Sequence, residues 1–158
     1  MPAPSPRQPR RAASPAPRMA LAEVMAALEA AGSEQTRKTY ARHGAVEPMF
    51  GVSFATLKAL YKRIGVDHEL AMALWGTGNF DACNLAVKIV NPERMSPAEL
   101  DRWAEAQNVR MCVGYVAHVA VEGPHARAKA DQWLAASSET QRGVAWSLVQ
   151  AMAMRDEA

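Results

Sequence analysis

Between Met49 and Asn91 the chain reads MFGVSFATLKALYKRIGVDHELAMALWGTGNFDACNLAVKIVN. This stretch breaks into three helices joined by very short turns. The first is expected over Ser53 to Ile64, where Phe54, Leu57, Leu60, Tyr61 and Ile64 recur at the spacing of one helix face. Ser53 suits the N-cap, because a hydroxyl oxygen there accepts from an orphan amide of the first turn. Gly65 suits the position after the last turn, where glycine takes a left-handed conformation without a steric penalty. Asp67 is expected to cap a second helix that reaches Trp75 and stops at Gly76–Gly78. Asn79 or Asp81 opens a third, which ends before Asn91-Pro92 because proline disfavours helical backbone at the residue before it. Three short helices, each apolar on one side, cannot bury themselves. They require neighbours stacked on them, which is the logic of an α-solenoid.

The remainder of the chain agrees. Leu21, Val24, Met25 and Leu28 fall at helical spacing in a helix from Met19 to Ala31. Gly32-Ser33 breaks it, and Ser33 can cap a polar helix, EQTRKTYARH, from Glu34 to His43. Ser96, Pro97 and Glu99 are N-cap, N1 and N3 of another helix, which carries Leu100, Trp103 and Ala104 inward. Val109 to Val121 is apolar nearly all round and is expected to be buried on most sides. Two further helices are expected over residues 125–136 and 138–155. No stretch alternates with period two. The expectation is an all-α protein, a HEAT-like α-solenoid of about eight or nine helices, over residues 19–158.

Residues 1–18 are different material: six prolines, four arginines and no acid. Such a segment cannot bury enough apolar surface to offset chain entropy, so a disordered tail is expected, able to lay arginines on a phosphate backbone. An arbitrary extension, with Met19 as the true start, is the alternative. The tail governs the charge argument. Of the 18 Lys+Arg, four lie in it, which leaves 14 against 16 Asp+Glu, a net of −2, in the body. Within the body, Arg37, Lys38, Arg42, Lys58, Lys62 and Arg63 face one acid, Glu47, a local net of +5 on an otherwise acidic surface. Cys83 and Cys112 lack metal or disulfide spacing and read as buried small hydrophobes in a reducing compartment. His43, His68, His118 and His125 have no ligand spacing, and His118, on an apolar helix, is expected in the core. No apolar run approaches the roughly eighteen residues of a membrane span, and no motif implies a cofactor.

Met49-Phe50-Gly51-Val52-Ser53 leading into Leu57-Lys58 and Lys62, then Asp67-His68-Glu69-Leu70-Ala71 with Ala73-Leu74-Trp75, then Asn79-Phe80-Asp81-Ala82, resemble the DNA alkylation repair proteins. These are the HEAT-like alkylpurine DNA glycosylases of the AlkD type. The likeness is strongest over residues 36–92 and continues more weakly to about residue 155. The resemblance implies cleavage of the N-glycosidic bond of an alkylated, cationic purine in duplex DNA, by a monomer without a cofactor, in the cytoplasm and on the nucleoid when bound. Departure of such a base neutralises its charge. The protein's task is then to stabilise an oxocarbenium-like sugar with a carboxylate, to present aromatic faces, and to hold phosphates with cations.

The resemblance places Lys58 and Lys62 on the phosphates and brings Arg142 close to the DNA, with a surface arginine early in a helix as the alternative for Arg142, and the basic segment adds Arg37 and Lys38. Lys58 and Lys62 are i, i+4 and point the same way; a solvated lysine face is the plain alternative. Trp75 and Trp103 are expected as packing, and Trp146 as core, with a stacking face as its alternative. The family's aspartate falls on Val113 or Gly114, depending on register, and no Asp or Glu occurs between Glu105 and Glu122. A carboxylate from elsewhere, Asp81 or Glu105, is the remaining source. Family members usually continue through further helices with another DNA-facing aromatic, so a shorter binding surface is expected here. Three functions follow: a DNA glycosylase, a non-catalytic DNA-binding scaffold of the same descent, or a protein-interaction solenoid with no nucleic-acid role.

Overall fold

The computed structural model describes residues 18–106 and 113–156. Arg110, Cys112, the first residues of the expected Val109 helix and all of the tail but Arg18 lie outside them. The described residues contain nine α-helices and no strand: α1 (Leu21–Ala31), α2 (Glu34–Arg42), α3 (Phe54–Ile64), α4 (His68–Gly76), α5 (Phe80–Ile89), α6 (Pro97–Glu105), α7 (Val113–Glu122), α8 (Ala126–Leu134) and α9 (Glu139–Asp156). A single 3₁₀ turn, Pro92–Arg94, stands between α5 and α6.

Local chemistry sets most of the boundaries. The hydroxyls of Ser33 and Ser53 accept from the amides of Thr36 and Thr56, the Asp67 carboxylate accepts from the amide of Leu70, and the Asn79 carbonyl accepts from the amides of Asp81 and Ala82. Asn79, not Asp81, is therefore the cap of α5. Ser96 and Glu99 close a reciprocal capping box at α6. Gly65 ends α3 with φ +72° and ψ −154°. That is a glycine-only region outside the left-handed helical well, so the chain leaves α3 extended.

The helices stack in two layers. In the first, α5 packs between α3 and α7, and α9 packs on α7. In the second, α4 lies on α5, α6 on α7 and α9, and α8 on α9, while α1 closes the start of the stack on α4 and α5. The central helix α5 has the fewest solvent-facing positions: Phe80 to Ala86 are all buried, with Ile89 a turn later. The core continues through Val24, Leu28, Leu74, Leu100, Trp103, Val116, Ala120, Trp133 and Leu148. Trp75 stacks on Trp103 at 4.1 Å between ring centroids, 10° from parallel, so both act in packing. The polar helix α2 buries only Tyr40, whose ring meets Phe54 and Phe80 and whose hydroxyl donates to the Val52 carbonyl at 2.7 Å. No described helix is long and apolar enough to cross a membrane.

Candidate nucleic-acid interface

Three of the six cations of the basic segment are paired, with Glu47 inside it or with Glu34 and Glu23 outside it. Arg37 donates to Glu47 at 2.7 Å and to Glu34 at 3.2 Å, and Lys38 sits 3.7 Å from Glu34. Arg63 reaches Glu23 of α1 at 3.8 Å, and Arg42 donates to the Lys38 carbonyl. The hydrogen bond from Arg37, the Met49 amide and the neighbouring positive charge hold the Glu47 carboxyl below its ordinary value, and Glu47 in turn raises the Arg37 guanidinium. Exposed pairs of this kind hold weakly. Arg37 and Lys38 can therefore meet a phosphate only by exchanging a glutamate for it.

Lys58 and Lys62 differ. Both are exposed on α3, and neither has a carboxylate partner among the described residues. Phe54, one turn before Lys58 on the same stripe, is 44% exposed. The next free cation in the layer is Lys88 of α5, which sequence reasoning missed. Its ammonium lies 4.3 Å above the Tyr115 ring of α7 and has no carboxylate partner among the described residues. Arg142 opens α9 and donates to the carbonyls of Ala136 and Ser137 at 2.8 and 2.7 Å. These bonds satisfy the exit of α8 and fix the guanidinium at the α8–α9 turn. Elsewhere the cations of the described residues are mostly paired: Arg94 with Glu69, Arg127 with Asp131, Lys129 with Asp101, and Arg155 with Glu122. Arg42 on α2 and Arg102 on α6 are the exceptions, as neither has an ion pair. The unpaired cations Lys58, Lys62, Lys88 and Arg142 thus share the α3–α5–α7–α9 layer.

Trp146, expected in the core, is 68% exposed on that layer, one turn after Arg142. The buried stripe of α9 is Val144, Ala145 and Leu148, and residue 146 falls on the opposite side of a 3.6-residue helix. His118 is likewise exposed, since Val116, Ala117, Val119 and Ala120 occupy the buried arc of α7. An apolar helix still has a solvent side, and sequence could not say which residue would take it. His68 is the buried histidine instead.

Neither alternative carboxylate can serve a sugar cation. Asp81 is 0% exposed, and its two oxygens accept from the backbone amides of Phe50, Gly51 and Val52 at 2.6, 3.0 and 2.9 Å. It is the anchor of the loop entering α3, and that loop is tight enough to need glycine. Gly51 has φ +77°, and a Cβ there would stand 2.5 Å from the Ser33 carbonyl oxygen. Glu105 is exposed at the end of α6, in the other layer. Gly114 lies near the start of α7, and a Cβ added to it would meet open space. The side chain of Val113 lies outside the described residues.

A profile of the DNA alkylation repair enzyme family matches residues 24–157. A solved structure, reported for a new family of proteins related to the HEAT-like repeat DNA glycosylases with affinity for branched DNA structures, is similar at 36% identity and a TM-score of 0.78. The alignment covers 85% of this chain and 57% of that one, so the chain spans little more than half the length of that relative. No curated protein matches.

Proposed function

We infer, from the premise that this chain belongs to the DNA alkylation repair enzyme family, that it binds DNA along the α3–α5–α7–α9 layer and prefers a branched structure to uninterrupted duplex. The observation that carries this reading is the collection of unpaired cations on one layer. Lys58, Lys62, Lys88 and Arg142 lie there, while most other cations face a carboxylate. A DNA ligand attracts cations that can replace its counterions. The exposed Trp146 beside Arg142 favours the branched ligand: at a junction bases lose a stacking neighbour, and an aromatic face of this kind can replace it. The similar solved structure is of a family with affinity for branched DNA, which supports the same preference.

Excision of alkylated purines is the second reading, favoured by family membership. It lacks a carboxylate: position 113 or 114 has none, Asp81 is enclosed by amides, and Glu105 lies in the other layer. Losing one electrostatic partner of a developing charge typically costs about 10²–10³ in rate. The expectation is a binding protein with little or no base release.

Fluorescence anisotropy of the whole chain with a labelled duplex and a labelled three-way junction tests the first reading. Tighter binding to the junction, weakening steeply with salt, is the expected result. Salt-independent or absent binding to both would leave a protein-interaction solenoid. Release of methylated bases from alkylated duplex at a rate well above the spontaneous one would restore the glycosylase reading.

A further inference from the structure

Lys88 is placed oddly for a solvated lysine. It extends from α5, the most enclosed helix of the fold, at an exposed position of an otherwise apolar run, LAVKIV. Among the described residues its ammonium does not find an acid. It is held 4.3 Å above the Tyr115 ring, across the seam between α5 and α7. A cation over an aromatic face keeps its charge and its three donors, and the ring restricts where they point. The carboxylates nearest in the two helices are committed elsewhere. Asp81 of α5 accepts three backbone amides, and Glu122, at the far end of α7, pairs with Arg155.

We propose that Lys88 forms a phosphate subsite at the α5–α7 seam, in which the Tyr115 ring positions the Lys88 ammonium against a backbone phosphate of bound DNA. The subsite lies on α5 and α7, between Lys58 and Lys62 on α3 and Arg142 on α9, so it makes the row of cations continuous. It also gives the α7 region a different chemistry from the one a glycosylase needs. A cation attracts a phosphate oxygen, where a carboxylate would have stabilised an electron-poor sugar.

This inference rests on the reading of the layer as a DNA-binding surface, and the experiment separates the two. Binding of a labelled duplex and a labelled three-way junction is measured over a salt series for the whole chain and for Lys88→Gln, Tyr115→Phe, Tyr115→Leu and Lys58→Gln/Lys62→Gln. Lys88→Gln should flatten the slope of log K against log salt by about 0.9, the value of one phosphate contact. Tyr115→Phe keeps the ring and should bind as the parent does, whereas Tyr115→Leu should weaken binding. If Lys58→Gln/Lys62→Gln flattens the slope but Lys88→Gln leaves slope and affinity unchanged, the subsite is wrong and the DNA reading stands. If the parent protein shows no salt-dependent binding to either DNA, the reading of the layer falls and takes the subsite with it.

Discussion

Replacing Asp81 by asparagine should unfold this protein more easily without any change at its surface. The carboxylate is fully enclosed. One oxygen, Oδ2, accepts from the amides of Phe50 and Gly51, and Oδ1 accepts from the amide of Val52. An enclosed charge is tolerable only with such compensation. Asparagine has one acceptor in place of two. In its better orientation the amide oxygen keeps Phe50 and Gly51, now as neutral bonds, and the NH₂ is set against the Val52 N–H. In the other orientation only Val52 is kept. The better case loses one charge-assisted bond outright and weakens two, about 2–4 kcal/mol at 1.5–3 kcal/mol for each bond to a charge. For a chain of this size that is a fall in melting temperature of about 5–15 °C. Asp81→Ala strands all three donors and should cost more. Thermal and urea unfolding followed by far-ultraviolet circular dichroism read the effect directly. An Asp81→Asn protein that melts with the parent but loses a catalytic activity would refute the reasoning, and would return Asp81 to the role of a functional carboxylate.

The double substitution Lys58→Ala/Lys62→Ala should flatten the log K against log salt slope by about 1.8 without lowering the melting temperature, since neither lysine has an ion pair to lose; an unchanged slope removes α3 from the interface. Trp146→Ala should weaken junction binding more than duplex binding, by roughly 1–3 kcal/mol if one unstacked base rests on the indole, and equal losses on both ligands would count against stacking at a branch. Gly114→Asp should fold normally, because the added Cβ meets open space, and should weaken DNA binding by placing a negative charge on the α3–α5–α7–α9 layer; a gain of methylated-purine release in this variant would identify 114 as the vacated catalytic register. Burial raises the Asp101 carboxyl, but the Lys129 ammonium, the Trp133 indole N–H and Gln132 outweigh it and hold the group below its ordinary value. A depressed carboxylate contributes stability that is complete above the unfolded value, about 4, and is lost as pH falls through the lower folded value. Asp101→Asn should therefore destabilise at neutral pH and lose less on acidification than the parent, as urea midpoints across an acid series would record.

Much of the fold is written in short-range chemistry. Ser33, Ser53, Asp67, Asn79 and Ser96 each cap a helix through an amide two or three residues ahead, so a reader of the sequence sees both partners at once. One-sided apolar patterns in successive short helices demand stacking, and the stacked layers follow. The absence of any acid between Glu105 and Glu122 is likewise a fact of sequence alone. Part of the charge pattern was also legible: Glu34 stands three residues before Arg37 and four before Lys38, the spacing at which helical side chains meet.

Tertiary packing decided the rest. Glu23 neutralises Arg63 only because α1 and α3 come together, so a count of charges along the segment overstates what a ligand meets. Asp81 turned inward because the 50–52 loop folds over the start of α5, a meeting of residues some thirty positions apart. The Lys88–Tyr115 contact depends on the α5–α7 seam. Trp146 and His118 face outward because other residues of α9 and α7 fill the buried arcs. A cap needs only the next turn of its own chain; an ion pair or an exposed face needs a neighbour whose position no local pattern encodes.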